Sequence, residues 1–195
     1  MTDNDKLAER GRALEDEYFR KRDRELVEKM RQAAMADQKR NELGLKTGLQ
    51  DPAVLKELQD LGFTPDTVVL LPLVPVLEMA WAEGGITPAE RDLIVQLARR
   101  WNIAEGSAAD GQLSAWMSSR PAPSVFAHAG RLAAAMLASG SDQVTTGLTA
   151  DDLVAYCEKI AAASGGLFGL RIGSVSSEEK SLLARIASDL RTRQP

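Results

Sequence analysis

The chain has 195 residues, 44% of them apolar and only 5% aromatic, with a net charge of −4, so it is long enough for one compact core plus an extension and does not require a second large domain. The charge is uneven: residues 1–46 carry 12 basic and 11 acidic side chains, leaving 12 and 17 for the rest, and so acidic a body is a poor partner for nucleic-acid phosphates. Cys157 is the single cysteine, which excludes an intrachain disulfide and a cysteine cluster for zinc, and fits a reducing cytoplasm.

From about Arg12 to Glu42 there is no glycine or proline, and charge dominates. Acid-before-base pairs four apart, Asp16 with Arg20, Glu17 with Lys21 and Glu25 with Lys29, each add about 0.2–0.5 kcal/mol to a helix. The apolar residues Leu14, Tyr18, Phe19, Leu26, Val27 and Met30 form a narrow stripe, too narrow for a bundle helix, so a projecting or weakly docked arm is expected. Gly44 and Gly48 mark the expected hinge to the body.

Asp51 and Pro52 read as an N-cap and a first-turn proline, and Gly62 as a stop, which predicts a helix over Pro52–Leu61. A second helix is expected to start at Thr64 and end at Glu83, bent or broken at Pro72 and Pro75, each of which removes a backbone donor. Val68 to Ala82 is too short and too interrupted to cross a bilayer. No apolar leader opens the sequence, so a soluble, cytoplasmic protein without a membrane span is expected. After Gly84 and Gly85, Thr87 caps the next helix, Pro88 takes its first position and Glu90 completes a capping box. Further helices are expected over Asp110–Ser119, Pro123–Leu137, Ala150–Ser164 and Ser177–Arg191, with loops at SDQVTTG and GGLFGLRIG.

The segment around Gly84 recurs near the C-terminus. Gly173 answers Gly84, Val175 answers Ile86, Ser176 answers Thr87 and Glu179 answers Glu90. In the helices that follow, Ile94, Leu97, Ala98 and Trp101 share their spacing with Leu183, Ile186, Ala187 and Leu190, one buried stripe per helix. The expected fold is therefore all-α: a bundle of about seven helices with an internal helix–turn–helix repeat over residues 46–195, preceded by a long charged helical arm over residues 1–45.

Residue sets for catalysis are missing from the pattern. Gly165, Gly166 and Gly169 follow a helix and lack the lysine of a phosphate loop. There is no GxSxG elbow, and His128, the single histidine, has no carboxylate or serine at a recognisable spacing. Cys157 lies on the apolar stripe of its helix and reads as core. Glu78, Glu83, Glu90 and Asp92 flank one turn, where a hard cation would want several oxygens, yet capping already explains Glu90 and the helix dipole favours Asp92. No enzyme and no required cofactor is expected, with a divalent cation at Glu83 and Glu90 as the one alternative.

The stretch LLPLVPVLEMAWAEGGITPAERDLIVQLARRW resembles the TerB-like family, the helical domains named for bacterial tellurite resistance, through its A-W-A-acid-G turn followed by T-x-x-E. The similarity covers about residues 64–192. It implies a bundle of about seven helices with internal two-fold character, no established enzymatic activity, a link to stress response, and an acidic surface suspected of binding divalent cations, for which Glu83 and Glu90 are the matching residues. The family usually has Asp in the turn, and Glu83 stands in its place here. The arm, EDEYFRKRDRELVEKMRQ, resembles the inhibitory helix of the mitochondrial F1-ATPase inhibitor family. The matching residues are Glu17, Tyr18, Phe19, Arg20, Glu25 and Leu26, and they imply a protein partner engaged through the N-terminal helix. The histidine-rich segment of that family is absent, and with it the family's pH switch.

Overall fold

A computed structural model describes residues 3–139, 148–164 and 176–191, with side chains from Glu15 onward. Its elements are all helical: α1 (Asp3–Thr47), α2 (Pro52–Asp60), a 3-10 helix (Val68–Leu73), α3 (Val74–Ala80), α4 (Pro88–Arg100), α5 (Ala108–Ser118), α6 (Pro123–Ala138), α7 (Ala150–Ser164) and α8 (Ser177–Arg191). The chain divides into two compact units, Met1–Asn41 and Glu42–Pro195. Among the described residues the second unit holds α2 to α8 together with the last turn of α1. The loops expected at SDQVTTG and GGLFGLRIG, and with them Gly173 and Val175 of the second repeat, lie outside the described residues.

The segment Val68–Ala80 is the centre of the second unit. Within it only Val69 and Glu78 escape full burial, and a helix apolar on all sides has to be surrounded. Accordingly α3 packs on α4, α6, α7 and α8. Each fully buried leucine, valine or methionine there contributes about 1.5–3 kcal/mol of transfer free energy. The two prolines give a break rather than the expected bent helix reaching Glu83. Pro72 falls inside the 3-10 turn and Pro75 in the first turn of α3, where its missing N–H leaves no helical bond unmade. The helix ends at Ala80, and Thr64 to Asp66 form a turn before the segment instead of its first helical residues.

Local signals account for most helix ends. Asp51 Oδ1 accepts the Ala53 N–H at 2.8 Å, and Pro52 opens α2. Helix α4 stops where Asn102 takes a left-handed conformation, φ 58°, with the Ile103 N–H donating to Ala98 O at 3.0 Å and the Asn102 N–H to Arg99 O at 3.0 Å, a paired closure that satisfies the last carbonyls. Helix α1 runs through Gly44, one of the two glycines at the expected hinge. It ends at Thr47, whose buried hydroxyl donates to Leu43 O and whose carbonyl accepts from Ser139 Oγ, both at 2.7 Å.

The repeat is visible in the packing. Helices α3 and α4 form one hairpin, and α7 and α8 the other. Helix α3 packs on α7, while α4 packs on α7 and α8 on α3, a reciprocal set. The stripe of α4 is the better buried: Ile94, Leu97 and Ala98 are in the core, whereas α8 buries Ile186 and Leu190 and leaves Leu183 and Ala187 half-buried.

Helix α8 comes close to α6 at Gly130, where an added Cβ would lie 2.9 Å from Asp189 Cβ. Gly111 in α5 has open space around the same position. Alanine gains about 1 kcal/mol over glycine in a helix interior, while overpacking costs about 1–3 kcal/mol. Gly111→Ala is therefore expected to raise the midpoint of chemical denaturation and Gly130→Ala to lower it. If both raised it, the close α6–α8 approach would be disproved.

Candidate functional site

The long charged helix carries every large apolar side chain that is exposed among the described residues: Tyr18, Phe19, Leu26, Val27, Met30, Met35 and Leu45. In the first unit, Tyr18, Phe19, Leu26, Val27 and Met30 are 57–65% exposed. Phe19, Leu26 and Met30 stand seven and four residues apart, so they form one line along the helix. Arg20, Arg24 and Arg31, spaced by four and seven, form a cationic line beside it. The two aromatic rings meet edge to face with centroids 5.8 Å apart, and the Arg22 guanidinium lies 5.9 Å from the Tyr18 ring centre. Glu17 and Glu25 are exposed on the same helix. The expected partner-binding residues, Glu17, Tyr18, Phe19, Arg20, Glu25 and Leu26, thus lie together on one exposed segment.

The acidic turn separates into two groups. Glu90 is buried and accepts the Thr87 N–H at 2.7 Å, while its own N–H donates to Thr87 Oγ1 at 3.3 Å. The second repeat builds the same box: Glu179 is buried, accepts the Ser176 N–H at 2.7 Å and donates its N–H to Ser176 Oγ at 3.1 Å. Burial pushes the Glu90 carboxyl above the usual range, the Thr87 hydrogen bonds pull it back, and the charges of Glu83 and Glu179 push it up again. Glu83 is exposed. Among the described residues no three His, Cys, Asp or Glu side chains are grouped so as to hold a metal ion.

Glu78 belongs to the other group. Its carboxylate, 13% exposed, accepts from Arg185 of α8 at 2.6 Å, and Arg185 also approaches Asp189 at 3.5 Å. Burial raises the Glu78 pKa, and the Arg185 charge and hydrogen bond, with Arg120 further off, work against that rise. Cys157 is buried nearby. Its thiol is pushed up to about 12, chiefly by burial and further by the charges of Glu78 and Glu158.

His128 has a partner that the sequence did not reveal. Its Nδ1 lies 2.6 Å from Glu57 Oε1, and Arg131 donates to the same carboxylate at 2.5 Å, which joins α6 to α2. The arrangement orients an imidazole as a general base requires, but among the described residues no hydroxyl or thiol is hydrogen-bonded to it. Cys157 lies in the core, with its thiol pushed up to about 12 by burial, and is not a partner of this pair.

Fold and surface together define an all-helical bundle attached to an amphipathic arm, and none of the described helices is long and apolar enough to cross a membrane. No protein-family model matches the chain, and neither a curated protein nor a solved structure does so.

Two measurements test the electrostatics of the bundle. Because the folded-state pKa of Glu90 is raised above its ordinary 4.5, the native state holds more protons than the unfolded state just above that pH. Its contribution to stability therefore falls as pH rises through the window and stays reduced at neutral pH. Glu90→Gln keeps an acceptor for the Thr87 N–H without the charge, and is expected to be at least as stable as the parent at pH 7, with a flatter profile above pH 4.5. Glu90→Ala loses the cap and is expected to cost about 1–2 kcal/mol. A glutamine variant as unstable as the alanine one would mean that the charge itself is required. For Cys157, a colorimetric thiol reagent at pH 8 should react only after denaturant is added. Rapid labelling of the native protein would contradict its burial.

Proposed function

We propose that this chain is a non-enzymatic protein-binding and regulatory module of TerB-like type that engages a protein partner through its N-terminal amphipathic helix. The single observation that supports it most is the concentration of exposed large apolar side chains on α1, in a protein whose other large apolar groups are buried or half-buried among the described residues. The TerB resemblance adds a cytoplasmic stress-response setting to this reading, and the acidic body argues against nucleic acid as the partner.

Magnitudes constrain the partner. Covering Phe19, Leu26 and Met30 would gain about 1.5–3 kcal/mol each. Association itself costs at least about 4 kcal/mol, so the apolar line alone gives weak binding. The cationic line Arg20, Arg24 and Arg31 has to contribute through steering and pairing, which points to an apolar groove with carboxylates along one wall. Such binding weakens as salt is added.

A complex formed with the full chain, isolated from host extract by affinity capture, tests the reading. The Tyr18→Ala/Phe19→Ala double variant should lose its partner by about tenfold or more, while its helix content and melting temperature stay those of the parent, because both rings are exposed. Equal capture by parent and variant would sink the role assigned to α1.

A narrower version makes the partner a rotary F1-type ATPase, favoured by the exposed Tyr18, Phe19 and Arg20 on an unbroken helix. A peptide of residues 10–40 should then reduce ATP hydrolysis by the host's own F1. Unchanged hydrolysis removes that partner and leaves the broader reading to the capture experiment. Cation binding at Glu83 and Glu90 is the third reading, and titration with calcium or magnesium that gives no heat altered by Glu83→Ala would eliminate it.

A further inference from the structure

Between α3, α4 and α7 there is a cleft of about 340 Å³, within the size range of small-molecule sites. Its floor is apolar and buried, made by Val76 of α3, Leu97 of α4 and Ile160 of α7. Its mouth carries two exposed cations from different helices, Arg100 at the end of α4 and Lys159 of α7. Tyr156 forms a wall. The Lys159 ammonium is 5.0 Å from the Tyr156 ring centre, and the Trp101 ring meets that of Tyr156 edge to face with centroids 6.1 Å apart. The lysine is thus held at the mouth by a cation–π contact before any ligand arrives.

Two like charges at one opening repel each other unless something negative lies between them. Asp152 feels the charge of Arg100 but lies outside the lining, and its carboxylate is already engaged by the Thr149 N–H at 2.9 Å and hydroxyl at 2.6 Å. Arg100 and Lys159 are the charged side chains that line the cleft, and no carboxylate is among its lining residues. A carboxylate head on the ligand complements this pair of cations. The volume holds roughly ten non-hydrogen atoms, taking about 30 Å³ for each; Leu93 adds to the apolar wall, and the exposed Gln96 amide stands with the cations among the polar lining residues.

We propose that this cleft binds a free medium-chain monocarboxylate, its hydrocarbon chain on Val76, Leu97 and Ile160 and its carboxylate between Arg100 and Lys159. The apolar contact supplies most of the affinity, and the two cations fix the direction in which the chain enters. This site belongs to the bundle alone and does not depend on α1 having a partner.

Sodium octanoate, titrated calorimetrically into the full chain, is the direct probe. Saturable binding at one site is expected. Octan-1-ol, with the same body and no charge, should bind about tenfold more weakly, since a hydrogen bond to a charged group is worth about 1.5–3 kcal/mol. The Arg100→Gln/Lys159→Gln variant, altered only at exposed positions, should lose about the same factor for octanoate and nothing for octanol. Methyl NMR shifts should centre on Val76, Leu97 and Ile160. Absence of saturable binding, equal affinity for acid and alcohol, an unaffected double variant, or shifts centred on another part of the bundle would each overturn the assignment.

Discussion

The bundle depends on burying one segment, Val68–Ala80, on all sides. A short helix with no solvent face has no stability of its own to offer in water, because its length is below that of a self-supporting helix. It exists because α4, α6, α7 and α8 close around it. One residue of α3 resists that burial. Glu78 brings a carboxylate to the edge of the core, and α8 supplies Arg185 to meet it. Breaking such a pair from one side leaves a charge without compensation, which costs more than the pair is worth when intact. The same contact brings Asp189 against Gly130, so the glycine of α6 and the arginine of α8 serve one approach of two helices.

The capping boxes show how much of this was written locally. Thr87 with Glu90, Ser176 with Glu179 and Thr149 with Asp152 all form reciprocal bonds, and each could be read from residues three apart. Helix starts and the amphipathic stripes were legible for the same reason, being local patterns, and the repeat was legible because such local patterns recur in the same order. The prolines at 72 and 75 announced a break, but the choice between a bend and a 3-10 turn depends on the core around them, which no local pattern encodes. Gly44 depends on tertiary context in the same way. Its neighbours Leu43 and Thr47 are buried, which offsets the about 1 kcal/mol that a glycine costs inside a helix, and α1 continues to Thr47.

Pairings across the fold could not be foreseen. Glu78 and Arg185 are 107 residues apart, and Arg131 and Glu57 are 74 apart, distances at which one sequence gives no signal. This is why His128 looked isolated and why the four acids around the first turn looked like one cluster. In the folded chain Glu78 turns to α8 while Glu90 stays with its cap, as the capping reading of Glu90 expected. The cleft above Val76 and Ile160 was equally invisible, since its walls come from three helices. The exposed line on α1 is the opposite case. It was readable because nothing in the first unit had to fold over it.

The indole N–H of Trp81 donates to Trp116 O at 2.9 Å, and Trp101 stacks edge to face on Tyr156. All three tryptophans therefore belong to the second unit, and residues 1–41 have a tyrosine and a phenylalanine as their only aromatic rings. The two units are optically separable. Excitation at the red edge of the absorption band reports on the bundle alone, and an event confined to the first unit leaves that emission untouched. A spectral shift there on adding a partner would mean that the disturbance had travelled into the bundle, a distinction obtained from the native chain without attaching a dye.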